Sequence, residues 1–247
     1  MIRFEQIFPS YHYVLLSLFL LGGLEIVFAF PHYILLLSIV LVFLIATGIA
    51  LIKSEEGTRF DITHTILPVL MTTGFVSFAL FLPASAWLHL YFAGAAIFFY
   101  FLLKNGSRTA YPTWNWVLSM LVFFLNITSI LGWRFHLYTP VVLILVVLAI
   151  ISCLILWQAL RRATYRSTEA LFIAAGMAFA LTELAWALQF LPLHYIAQAS
   201  ILTAVYYTSF NLVSISLMRA LNKKDVAEYT SVGLGAFFII VLTARWI

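Results

Sequence analysis

The chain has 247 residues, of which 64% are apolar and only 9% charged, with a formal net charge of +4. A soluble domain carries roughly a quarter charged residues, so this composition excludes a water-facing globular fold. The single cysteine, Cys153, excludes an intrachain disulfide or a cysteine metal cluster.

A spanning helix needs about 20 mostly apolar residues. The length therefore accommodates about eight or nine spans with short loops and no soluble domain. The expected fold is all-α: a polytopic transmembrane helix bundle of about nine spans, forming a single transmembrane domain over residues 1–247. Span 1 is expected over Tyr11–Phe30 and is stopped by Pro31. It is read as a span rather than a cleaved signal, because its apolar run ends in Phe28-Ala29-Phe30-Pro31 and not in small residues. Span 2 covers Tyr33–Ile52, span 3 Ile62–Leu82, and span 4 Trp87–Leu103. Span 5 covers Asn115–Trp133, span 6 Pro140–Leu160, span 7 Thr168–Leu191 and span 8 Tyr195–Leu221. A closing helix runs from about Tyr229.

The basic residues fix an expected orientation. Arg3, Lys53, Arg59, Lys104, Arg108, Arg161, Arg162, Arg166, Arg219, Lys223 and Lys224 fall at one set of ends. Only Arg134 and Arg245 fall at the other. By the positive-inside rule the N-terminus is inside and the hairpin turns point outward. Trp87, Trp133 and Trp246 sit at the outer ends, and Trp114, Trp116 and Trp157 at the inner ends, as an aromatic belt requires. The expected location is the cell membrane, of prokaryotic inner-membrane type.

Turn residues recur at Pro31, Pro83, His136 and Pro192. Phe81-Leu82-Pro83 matches Phe190-Leu191-Pro192, and a Glu-to-Pro-His-Tyr pattern joins Glu25–Tyr33 to Glu183–Tyr195. Residues 11–52, 62–103, 115–160 and 168–221 are therefore candidate hairpin repeats, with 229–247 as the closing helix. Pro68 within span 3 frees the carbonyl of His64 and is expected to kink that helix.

Small and polar residues at helical spacing are expected to mark packed faces. On span 7 these are Gly176, Ala180, Glu183 and Ala187. On span 8 they are Ser200, Ala204, Tyr207, Asn211 and Ser214; on span 4, His89, Ala93, Ala96 and Tyr100. Span 5 offers Ser119 and Asn126, and on span 1 Gly22 and Ala29 flank Glu25. Glu183 lies nine residues before Pro192, about 13 Å below the outer turn, and Glu25 about 9 Å below Pro31. A charged residue inside the bilayer costs roughly 2.5–3.5 kcal/mol on insertion scales and is a functional candidate by default.

The expected site is a polar centre of Glu25 and Glu183, lined by Trp186, Tyr207 and Asn211. Burial beside Trp186 would favour a neutral Glu183 that could titrate. The leading expectation is non-enzymatic: a bundle that binds or transports a small or lipid-like ligand, or serves as the membrane subunit of a larger assembly. The expected partners are the lipid bilayer, such a ligand, and a membrane protein or a second copy of the chain. Nucleic acid is excluded, because the basic residues follow topology rather than form a patch. The alternative is an outer-leaflet enzyme using Glu25 and Glu183 as acid–base groups, with His32, His89 and His194 as helpers or metal ligands. The sequence assigns no catalytic residue and names no cofactor.

Overall fold

In a computed structural model, the chain is described over residues 8–55, 63–106, 112–163, 167–218 and 221–244. These residues form nine α-helices. They are α1 (Phe8–Ala29), α2 (Ile34–Glu55), α3 (Thr63–Ala79), α4 (Ala86–Gly106), α5 (Pro112–Leu137), α6 (Val141–Ala163), α7 (Ser167–Leu188), α8 (Tyr195–Met218) and α9 (Lys223–Thr243). Eight are long and apolar enough to cross a membrane. The exception, α3, has 17 residues, about 26 Å at helical rise. This is a helical membrane bundle. The loop Glu56–Ile62 and most of the basic residues that set the expected orientation lie outside the described residues or have side chains that do.

The helices are apolar on every face, as lipid requires. Their few hydroxyls are absorbed locally. Ser17 donates to the carbonyl of Tyr13 at 2.8 Å, Thr72 to Pro68 at 3.0 Å and Thr182 to Ala178 at 2.7 Å. Such a bond to the preceding turn satisfies a hydroxyl where no water can. Pro68 sits inside α3, and the buried Thr72 hydroxyl caps its carbonyl.

Two ends differ from the sequence expectation by more than three residues. Helix α9 starts at Lys223 rather than Tyr229, because the Asn222 backbone N–H donates to the Asp225 carboxylate at 3.3 Å and opens the helix there. Helix α5 runs on to Leu137 and is ended by Tyr138, whose φ of 52° takes the chain into the left-handed region. Arg134 therefore lies on the last helical turn and not in a loop.

The chain divides into two compact units, Met1–Leu118 and Ser119–Ile247. In the first, α1, α2, α3 and α4 each pack on the next, and α4 returns to α1. The α1–α2 seam is reciprocal: Leu41 of α2 lies over Gly23, and Leu16 of α1 lies over Gly48, where an added Cβ would stand 2.8 Å from the leucine Cδ1. Two absent side chains thus let two leucines seat. This corrects the sequence reading of α1, which put Gly22 on the packed side; Gly22 meets nothing within 4 Å. Between α3 and α4, the Tyr91 hydroxyl donates to the Phe75 carbonyl at 3.2 Å.

In the second unit the most extensive seam joins α6 and α7. Ala170, Ala174, Ala178 and Ala185 form the buried face of α7, and their small size allows close approach. The expected stripe of Gly176, Ala180, Glu183 and Ala187 is instead exposed. Alanine occupies both faces of α7, so residue size alone did not distinguish them. Helix α5 is tied to α8 by the fully buried Tyr206, which stacks on Phe123 at 4.4 Å and donates to the Ser119 hydroxyl at 3.4 Å. Helix α9 lies on α8 with none of its described residues buried.

Candidate functional site

Of the five residues expected to form the polar centre, Glu25 belongs to the first unit and Glu183, Trp186, Tyr207 and Asn211 to the second. Glu25, near the end of α1, is paired with His89 of α4: His89 Nδ1 lies 2.8 Å from one carboxylate oxygen and 3.0 Å from the other. The side chains are 41% and 66% exposed respectively, so this acid is half-exposed and partnered rather than buried. Glu183 is exposed on α7 and makes no ion pair or hydrogen bond among the described residues. The seam that was expected to enclose it is on the opposite side of the helix. Trp186 is 53% exposed and packs edge-on against Phe190 at 5.5 Å rather than sealing Glu183. Tyr207 faces α9, with its ring 6.0 Å from that of Tyr229, and helps line a cleft of about 350 Å³. Asn211 is buried and spends its amide on the Tyr207 carbonyl at 2.8 Å. His32 is exposed in the short 3-10 turn after α1. No group of three His, Cys, Asp or Glu that could hold a metal occurs among the described residues.

A different constellation emerges in the second unit, where the end of α5 meets the α7–α8 turn. A cavity of about 470 Å³ is lined there by Arg134, Tyr138, Gln189, Pro192, Tyr195 and Gln198, with leucines and Phe135 completing the wall. Local structure explains each placement. Arg134 is carried to the rim by the last turn of α5, where the free carbonyl end of a helix favours a cation. Tyr138 is the left-handed residue that ends α5, its N–H donating to the Arg134 carbonyl at 3.1 Å. Gln189 lies just past α7, where its backbone N–H bonds the Trp186 carbonyl and begins a turn completed by Pro192. Gln198 is fixed by donating to the Leu193 carbonyl at 2.9 Å. An aromatic cluster braces the wall: the Tyr195 ring contacts Phe135 at 5.7 Å, His136 at 5.5 Å and His194 at 4.2 Å.

The electrostatics of this wall are one-sided. Arg134 is a permanent cation, no lining residue is acidic, and its guanidinium makes no ion pair or hydrogen bond among the described residues. Arg134 Nη1 and Gln189 Nε2 are both closed off from solvent with no acceptor among the described residues. A buried donor without an acceptor costs roughly 1–3 kcal/mol, and more when charged.

Sequence reasoning flagged His136 and His194 at this turn but missed Arg134 and Gln189 as a site. The available signal was charge placement: Arg134 is one of two basic residues on the side where orientation does not call for them.

Residues 15–243 match a family described as a protein of unknown function (DUF5656). No curated protein and no solved structure matches the chain.

Proposed function

We propose that this chain, which belongs to the DUF5656 family of proteins of unknown function, binds a small amphiphilic ligand in the cavity between α5 and the α7–α8 turn, without catalysing a reaction on it. The observation that carries this reading is the cavity itself. Its volume of about 470 Å³ falls within the roughly 300–1,000 Å³ of small-molecule sites. Its wall combines polar groups from Arg134, Gln189 and Gln198 with apolar and aromatic side chains, the mixture that an amphiphile needs. The exposed Phe135 and Leu191 beside it would carry the apolar part of the ligand toward lipid. With the orientation that the basic residues predict, the site opens at the outer leaflet.

Native mass spectrometry of the protein released from a mild detergent tests this, comparing wild type with Leu191→Trp. Leu191 is 45% exposed, so the larger ring narrows the cavity without entering a packed core. Wild type is expected to retain an amphiphile that the variant loses. Equal retention by both, or a bare wild type in native lipid extract, refutes the proposal.

The Glu25–His89 pair supports a second reading, acid–base work on a lipid-borne substrate by the first unit. A carboxylate within 3 Å of an imidazole nitrogen can orient a histidine general base.

A further inference from the structure

We infer that the ligand of this cavity is an anion, and that a phosphate or carboxylate group is held against Arg134 with Gln189 as a second donor. This rests on the reading of the cavity as a binding site and goes further by naming the chemistry it accepts.

The argument is one of deficit. The unmet groups in the wall are donors: Arg134 Nη1 and Gln189 Nε2, on different elements, both shut off from water. The Gln198 amide nitrogen is already engaged by the Leu193 carbonyl, so it neither adds to the deficit nor relieves it. A ligand supplying acceptors would satisfy both orphan donors once their side chains turn them into the cavity. A cationic ligand would add charge to a wall that holds one arginine and no acid. A hydrocarbon would leave both donors unmet. The α5 C-terminus helps to tolerate the guanidinium but carries only about half a unit charge, so it does not neutralise it. A planar guanidinium also presents paired N–H groups that match two oxygens of a phosphate or carboxylate. The placement of Arg134 agrees. It sits on the side of the chain that is otherwise nearly free of basic residues, so topology does not explain it.

The same anionic chemistry could come from a lipid headgroup or from free phosphate. The test uses the full chain in a mild neutral detergent with three probes: phosphatidic acid, a diacylglycerol of the same acyl chains, and inorganic phosphate. Retention is read by native mass spectrometry and stabilisation by thermal unfolding. Wild type is expected to retain phosphatidic acid well above diacylglycerol. Arg134→Gln should reduce phosphatidic acid retention roughly ten-fold or more, as loss of a charge-assisted hydrogen bond implies, and leave diacylglycerol retention unchanged. Arg134→Lys should restore part of the preference. Should Arg134→Gln fold poorly, Gln189→Leu carries the test: a smaller drop in phosphatidic acid retention supports the inference, and no drop overturns it. If inorganic phosphate stabilises wild type but not Arg134→Gln as strongly as the lipid does, the inference holds and the source is free phosphate. Equal retention of the two lipids by wild type and Arg134→Gln overturns it. If Leu191→Trp still abolishes binding in that case, the cavity reading survives and only the anion is wrong. If Leu191→Trp has no effect either, both fall.

Discussion

The two units meet their polar groups differently. In the first, the polar contact across the α1–α4 seam is Glu25 with His89, at the turn end, half-exposed and satisfied in both carboxylate oxygens. Beside it the seam is apolar, with Phe28 against Phe92 at 5.3 Å. In the second, polar groups are drawn inside. Tyr206 and Ser119 meet at near-full burial, and Ser152, Gln158 and Ser214 are buried with polar atoms that have no partner among the described residues. Arg134 and Gln189 join them at the turn end. Apart from the buried Thr65 hydroxyl, which has no partner among the described residues, the first unit resembles a packing module closed by small residues. The second holds unmet polarity, and unmet polarity at a cavity is what a ligand can use.

The largest effect expected from this contrast concerns the first unit's dependence on packing. Gly23→Val should destabilise the protein by roughly 1–3 kcal/mol, as over-packing does, because its new Cβ falls on Leu41. Gly22→Val, one residue away, should be close to neutral, since nothing lies within 4 Å. Thermal unfolding in one detergent measures both. Equal losses would mean that the α1–α2 seam is not the leucine-on-glycine contact described here.

A smaller effect of opposite sign is expected in the second unit. Gln158 is 1% exposed and neither amide atom has a partner among the described residues. Replacing such a group with an apolar one of similar shape is near neutral or stabilising. Gln158→Leu should therefore hold or raise the unfolding midpoint, by up to about 1 kcal/mol. A marked loss would show that Gln158 holds a water or a ligand group, and would extend the second unit's binding role to its core.

These contrasts were only partly legible beforehand. The helices were readable because long apolar runs bounded by proline and basic residues admit little else in a lipid-soluble chain. The start of α9 was missed because Asn222-Lys223-Lys224-Asp225 looks like a polar loop by charge, yet its Asn–Asp cap opens a helix. Which face of a helix packs was not readable. Lipid-facing and packed faces are both apolar, so the 3.6-residue signal that serves in water fades. Hence the sequence points to Gly22, Gly176 and Ala180, while the packed positions are Gly23, Ala174 and Ala178. The acids drew attention because they are rare. The residues that line the cavity come from a helix end and a turn forty residues or more apart, and no spacing rule joins Arg134 to Gln189.

The smallest expected effect sharpens the comparison most. Glu25→Gln keeps an acceptor oxygen within reach of His89 and removes only the charge. Exposed ion pairs contribute between about 0.2 and 1 kcal/mol, and this one is 41% and 66% exposed. The unfolding midpoint should therefore move by less than about 1 kcal/mol. If the second reading holds, a catalytic assay would register the loss where stability does not, because a general base is tuned by the charge of its orienting acid. A loss of several kcal/mol would point elsewhere. It would mean that the pair is covered in the assembled membrane protein, because the charge then sits out of water and losing one partner strands the other. The first unit would then hold a sealed polar interface of its own, and the division between a largely satisfied unit and one with several unmet groups would no longer stand.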